Sequence, residues 1–176
     1  MKLAKKAGMN VRQVVTGEEI RYDPEGEDNR RGLAGCVPLY HIAAAAAAEG
    51  KTLDEVADIA QRYADNMASI TVKSADATHP QNGMSFGDLG ETDLMEIGAG
   101  QHGEGGGVRV PMASSKETIG MVAPKLVESL GLEKGDKAFV MINGCGATTM
   151  MEMLILYKDA VEYLEGLGIE VVANMV

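Results

Sequence analysis

Between Lys137 and Val176 the sequence reads as a strand, a glycine turn, a long helix and a second strand. KAFVMIN is an apolar run of strand length that follows a tight turn, and it is expected to be fully buried. Gly144, Cys145 and Gly146 interrupt it, residues 149–167 form a long helix, and IEVVANMV returns to strand. Such a unit hides its apolar faces by layering helix on sheet, which limits the chain to α/β architectures.

The rest of the sequence keeps the alternation. Residues 1–8 resemble the tail of a helix closed by Gly8, and MNVRQVVT alternates like a strand. The charged stretch 18–32, with Pro24, Gly26 and Gly32, is expected to be an exposed loop. Leu33 to Ala48 is an apolar, Ala-rich helix buried on most sides, in which Pro38 either kinks the helix or marks its first turn. Thr52 and Glu55 form a capping box, and Leu53, Val56, Ile59, Ala60, Tyr63 and Met67 share one face of the following helix. SITVKSA is a short strand, residues 77–92 a turn-rich loop, and DLMEIGAG a strand running into glycines. Ser114 or Ser115 caps a helix that reaches about Leu130. With no Trp, two Phe and twelve Met, the core must rest on aliphatic side chains and methionine.

A net charge of −10 argues against nucleic acid or an anionic membrane as the main partner. The basic opening MKLAKK lacks a following apolar core, and residues 42–48 are too short to span a bilayer, so a cytoplasmic location is expected. Cys36 and Cys145 make no disulfide framework; they read as reduced packing thiols, with Cys145 the better candidate for a reactive one. The three histidines lack metal-ligand spacing, so no metal site is expected. His41 and His79 read as structural or exposed.

The stretch GAGQHGEGGG, residues 98–107, sets His102 among glycines at the end of a strand. Glycines let backbone N–H groups approach a small molecule, and Glu104 could orient the imidazole, so ligand contact and a plain flexible loop both remain open. The acidic residues Glu91, Asp93 and Glu96 read as a solvated strand face, with cation or proton sharing as the alternative. The turn Asn143 to Thr149 either caps the next helix, through Thr148 or Thr149, or presents its N–H groups to an anion.

Three stretches carry a family resemblance: RRGLAGCVPLYHIAAAAAAEG (30–50), LMEIGAGQHGEGGGVRVPM (94–112) and VMINGCGATTMMEM (140–153). In content, order and spacing the sequence resembles the dihydroxyacetone kinase K subunit, over nearly the whole chain. The resemblance implies a layered α/β domain with a mixed β-sheet flanked by helices. It also implies that His102 attacks the carbonyl carbon of dihydroxyacetone, or a related short ketose or aldose, to form a covalent hemiaminal, in a substrate pocket framed by Gly100, Gly103 and Glu104. No cofactor is expected on this chain: the phosphoryl donor, ATP with magnesium or a phosphotransferase-system chain, belongs to a separate L subunit or domain. The family also includes coactivators that bind dihydroxyacetone without turnover.

The K subunit is about twice this long, and its upstream Gly-Gly-Gly-Ser-Gly-His-Glu-Pro and Asn-Tyr-Thr-Gly-Asp stretches do not occur here. Residues 1–176 are therefore expected to be a single domain matching the C-terminal half, with 1–30 the tail of the preceding domain. The N-terminal half, possibly a separate chain, is an expected partner, as are an L subunit and further copies of this chain in a homo-oligomer; an inactive fragment is the remaining alternative. Gln101 replaces an aliphatic residue and Gly105-Gly106-Gly107 a Pro-Gly pair, departures that bear on which carbonyl substrate fits.

Overall fold

The computed structural model of the chain describes residues 1–20, 30–85, 87, 89–90, 92–100 and 107–176. They gather into two compact units, one formed by residues 1–19 and 30–69, the other by Ile20 and residues from 70 onward.

In the first unit α1 (Lys2–Lys6) closes at Gly8, which takes φ +76°. Residues 9–16, which alternate like a strand, form none. Among the described residues only the isolated bridge between Glu19 and Ser69 lies nearby, and Met9 and Val15 are exposed. Alternation alone does not hold a strand without a neighbour to pair with. Helix α2 (Cys36–Ala48) begins late enough that Pro38 falls in its first turn, where a missing N–H costs no helical bond.

Gly35 caps α2 and has no side chain to receive the free N–H groups. A distant residue does so: Oε1 of Glu18 accepts hydrogen bonds from the N–H of Leu33 (2.6 Å) and of Gly35 (3.0 Å). Its charge also suits the positive end of the helix. The approach requires glycine, since a Cβ at position 35 would lie 2.1 Å from Met67 Sδ and 2.9 Å from Glu18 Oε1. Beside it, Arg31 grips Glu19 with two prongs, Nε to Oε2 and Nη2 to Oε1, the second at 2.8 Å. Glu18 and Glu19 are thus 0% and 4% exposed, not part of a solvated loop. Buried carboxylates persist only where dedicated donors replace water: both oxygens of Glu19 are paired, and Oε1 of Glu18 takes two N–H groups while its buried Oε2 has no hydrogen-bond partner among the described residues.

Helix α3 (Leu53–Asp65) starts at the expected capping box and packs on α2. Helix α2 buries Pro38, Leu39 and Ala46, while Val37, Tyr40, Ala44, Ala45, Ala47 and Ala48 are exposed, so the expected burial on most sides is not met.

The second unit holds β1 (Val72–Lys73), β2 (Leu94–Ile97) and β3 (Val108–Pro111) in one antiparallel sheet with β2 at its centre. Helix α4 (Ser115–Leu130) follows, then β4 (Lys137–Met141), α5 (Met150–Gly166) and β5 (Glu170–Met175), with β4 and β5 parallel. The chain is α/β, as its alternation implies, and the C-terminal strand–helix–strand unit is present. Strand β4 is only half buried, with Phe139 40% exposed: α5 packs on β4 and β5, and nothing described covers their other face as a parallel pair usually requires. The core joins Met95 and Ile97 of β2 to Ile119, Val122 and Ala123 of α4 and Ala160 of α5. Capping boxes open α4 (Ser114, Glu117) and α5 (Thr149, Glu152).

Replacing Glu18 with Ala strands two N–H donors at the start of α2. Urea unfolding should show a loss of about 2–3 kcal/mol, and a smaller loss for Glu18→Gln, which keeps an acceptor. Thr149→Ala should cost about 1 kcal/mol. Hydrogen bonds from the side chain and then the backbone of Thr149 hold the Glu152 carboxyl below its ordinary 4.5. A folded-state value lowered in this way stabilises fully above the ordinary value and is lost as pH falls through the folded one. An NMR titration should place the Glu152 midpoint below 4.5 in the parent chain and return it toward that value in Thr149→Ala.

Candidate functional site

Strand β2 delivers the chain to the glycine stretch. Its side chains alternate, so Met95 and Ile97 enter the core while Glu96 points to the opposite face of the sheet. Gly98 turns the chain with φ +89°, a conformation that favours glycine, and its N–H donates to Thr71 O at 2.7 Å. Ala99 and Gly100 are buried. His102, Gly103 and Glu104 lie outside the described residues. The chain is described again from Gly107, where it runs against Glu96: a Cβ on Gly107 would sit 2.5 Å from Glu96 Cγ and 2.8 Å from Ile97 O.

Register sets Lys73 on β1 and Arg109 on β3 directly across from Glu96. Lys73 Nζ lies 3.1 Å from Glu96 Oε2 and 3.0 Å from Asp76 Oδ1. The three side chains keep only 18%, 5% and 7% of their surface accessible. Burial alone pulls the Lys73 ammonium down, but hydrogen bonds and charge from Asp76 and Glu96 outweigh it and hold it above its ordinary value. Asp76 is held below the usual carboxylate range, first by the N–H of Gly90 (3.0 Å), with Lys73 and the hydroxyl of Ser85 (3.1 Å) adding to it. Asp76 therefore fastens the expected turn-rich loop, which also closes through the bridge between Thr78 and Ser85.

Of the acidic residues before the glycines, Glu96 is not on a solvated face. It is buried beside an ammonium, whereas Asp93 is exposed and Glu91 lies outside the described residues. Local sequence carries no sign of this, because Lys73 is far along the chain and meets Glu96 only through strand register. His41 is exposed on α2, and His79 accepts a hydrogen bond at Nδ1 from the N–H of Gln81. Among the described residues no group of His, Cys, Asp and Glu is arranged to hold a metal ion, and no helix is long and apolar enough to cross a membrane.

The second glycine turn does cap a helix. Thr149, not Thr148, accepts from the N–H of Glu152 at 3.3 Å, and Glu152 Oε2 accepts from Thr149 N and Oγ1. Both cysteines are reduced. Cys36 is half-buried and donates to Leu33 O. Cys145 is exposed, not a packing residue, and holds φ +48° with Asn143 bonded to its N–H and Sγ.

The dihydroxyacetone-binding subunit DhaK of PTS-dependent dihydroxyacetone kinase 2 from Listeria innocua is 31% identical over 174 residues, covering 99% of this chain and 52% of that protein. The triokinase/FMN cyclase of Homo sapiens is 28% identical over 178 residues, covering 98% of this chain and 31% of that protein. Among solved structures, the dihydroxyacetone kinase operon co-activator Dha-DhaQ superposes with a TM-score of 0.91 at 26% identity, over 99% of this chain and 54% of that one. The dihydroxyacetone kinase of C. freundii in complex with AMP-PNP and Mg2+ superposes with a TM-score of 0.81 at 27% identity, over 94% and 30%. The chain spans about half the length of the bacterial binding subunit it matches. The Dak1 domain model matches residues 1–176, and the chain belongs to the Dak1 domain family.

Proposed function

We propose that this chain carries the carbonyl-substrate site of a dihydroxyacetone-type kinase, with His102 as its nucleophile. The observation that carries the reading is the stretch Glu-Ile-Gly-Ala-Gly-Gln-His-Gly-Glu, Glu96 to Glu104, at the exit of a buried strand in a chain matched end to end by the Dak1 model. The relative from Listeria innocua, named as a dihydroxyacetone-binding subunit, supports the substrate class.

A neutral imidazole has a lone pair suited to an electrophilic carbonyl. Attack on the carbonyl carbon forms one N–C bond and pushes the π electrons onto oxygen, which takes up a proton. The ring nitrogen that carried a proton releases it, and the product is a neutral hemiaminal. Gly100, Gly103 and Glu104 frame the pocket on this chain. Capture in this form admits ketones and aldehydes and rejects glycerol, which has no carbonyl to attack. It also holds the terminal hydroxyl for phosphoryl transfer, where positioning supplies much of the rate. The donor, ATP with magnesium or a phosphotransferase-system phosphocarrier, is brought by a partner L subunit. An upstream half completes the pocket, copies of the chain associate with one another, and the work is done in the cytoplasm.

A second reading is a sensor of the same fold that captures the ligand without turnover. The superposition on an operon co-activator favours it. Mixing with an L subunit and a phosphoryl donor separates the two: product formation supports the kinase, and capture without product the sensor.

Native mass spectra with dihydroxyacetone should show a single adduct on the parent chain and none on His102→Ala, with the fold intact by circular dichroism. An adduct that survives in His102→Ala would remove the histidine from the reaction. A parent chain that captures nothing until an upstream half is added would identify it as an inactive fragment on its own.

A further inference from the structure

We propose that Lys73, through Glu96 and Asp76, is a positioning residue for the substrate-capturing segment, fixing the points at which the chain leaves and rejoins the sheet around it. The proposal rests on the function proposed above and adds residues that the glycine motif does not contain.

Glu96 occupies both ends of that segment. Its own strand leads out through Ile97 and Gly98, and the returning chain at Gly107 lies against its side chain so closely that a Cβ would be 2.5 Å from Cγ and 2.9 Å from Oε1. The rotamer of Glu96 therefore determines where Gly107 can run. Lys73, 3.1 Å away on the adjacent strand and in register with it, constrains that rotamer. The same ammonium reaches Asp76 at 3.0 Å, and Asp76 fastens Ser85 and Gly90. One buried charge thus links the exit, the return and the neighbouring loop.

Stability does not account for the arrangement. Burying an ammonium with carboxylates costs desolvation that their attraction often fails to recover, and apolar replacements of similar volume are commonly neutral or stabilising. A sheet of this size could place Val or Met at positions 73 and 96. What a charged cluster adds is a single geometry, since an ammonium and two carboxylates fit together in few arrangements. Positioning of this kind matters where an attacking atom must meet a small substrate at a fixed distance.

Lys73→Met combined with Asp76→Asn and Glu96→Gln removes the whole ion cluster without leaving an isolated buried charge among the three positions. The chain should unfold at a denaturant midpoint equal to or above the parent's. With dihydroxyacetone as probe, the adduct fraction at subsaturating ligand should nonetheless fall by about tenfold or more. Lys73→Arg, which can bridge the same two carboxylates, should recover part of the capture. Thr52→Ala, a capping-box variant in the other unit, should lower stability and leave capture unchanged.

Full capture by a stably folded Lys73→Met/Asp76→Asn/Glu96→Gln chain would overturn the positioning role while leaving the proposed function standing. A loss of capture that merely tracks a loss of stability, and is shared by Thr52→Ala, would also overturn it. A parent chain that forms no His102-dependent adduct would overturn both.

Discussion

Burial of the strand from Leu94 to Ile97 is the constraint on which the larger unit depends. Met95 and Ile97 are 1% and 0% exposed and lock the strand to α4 and α5. That anchoring leaves Glu96 no freedom to leave the sheet, since a strand cannot slip by one residue without turning Met95 and Ile97 out of the core. A carboxylate forced into a sheet interior needs a counter-charge or donors, and register brings Lys73 to it. Apolar packing on one face thereby dictates an ion pair on the other.

The smaller unit solves a related problem with a different donor set. Gly35 must be glycine for Met67 and Glu18 to come close, and so it cannot cap its own helix. Glu18 does so from across the unit, and Arg31 fixes the neighbouring Glu19. In both units an acidic residue that composition alone assigns to the surface acts as an internal tie. The high acidic content is thus not simply a solvated coat.

Where structure follows from residues close in sequence, it could be read in advance. The helices from Thr52, Ser114 and Thr149 begin where their Ser/Thr-x-x-Glu signatures put them, and Pro38 falls in a first turn. Long-range pairing was not legible. Among the described residues MNVRQVVT alternates but has no strand to join, whereas VRVP, short and beginning directly after a glycine run, becomes a strand because β2 lies beside it. SITVKSA joins the sheet at Val72 and Lys73, and its Ser69 makes an isolated bridge to Glu19. The acidic residues before the glycines looked equivalent, and only register separates buried Glu96 from exposed Asp93. The histidine motif was legible as a sequence pattern, while Lys73, paired with Glu96, carries no local signature.

The reciprocal caps on α3, α4 and α5 have a consequence for how the chain reaches this state. Each fixes its helix start with groups three residues apart, so the first turn can form before any distant segment arrives. The parallel joining of β4 to β5 across a whole helix, and the antiparallel joining of β1 to β2 across the 74–93 loop, must wait for closure of long stretches of chain. Helix boundaries are settled early and cheaply, while the lysine–glutamate encounter belongs to the late, topology-limited part of folding. The geometry around the glycine segment is therefore among the last things this polypeptide acquires.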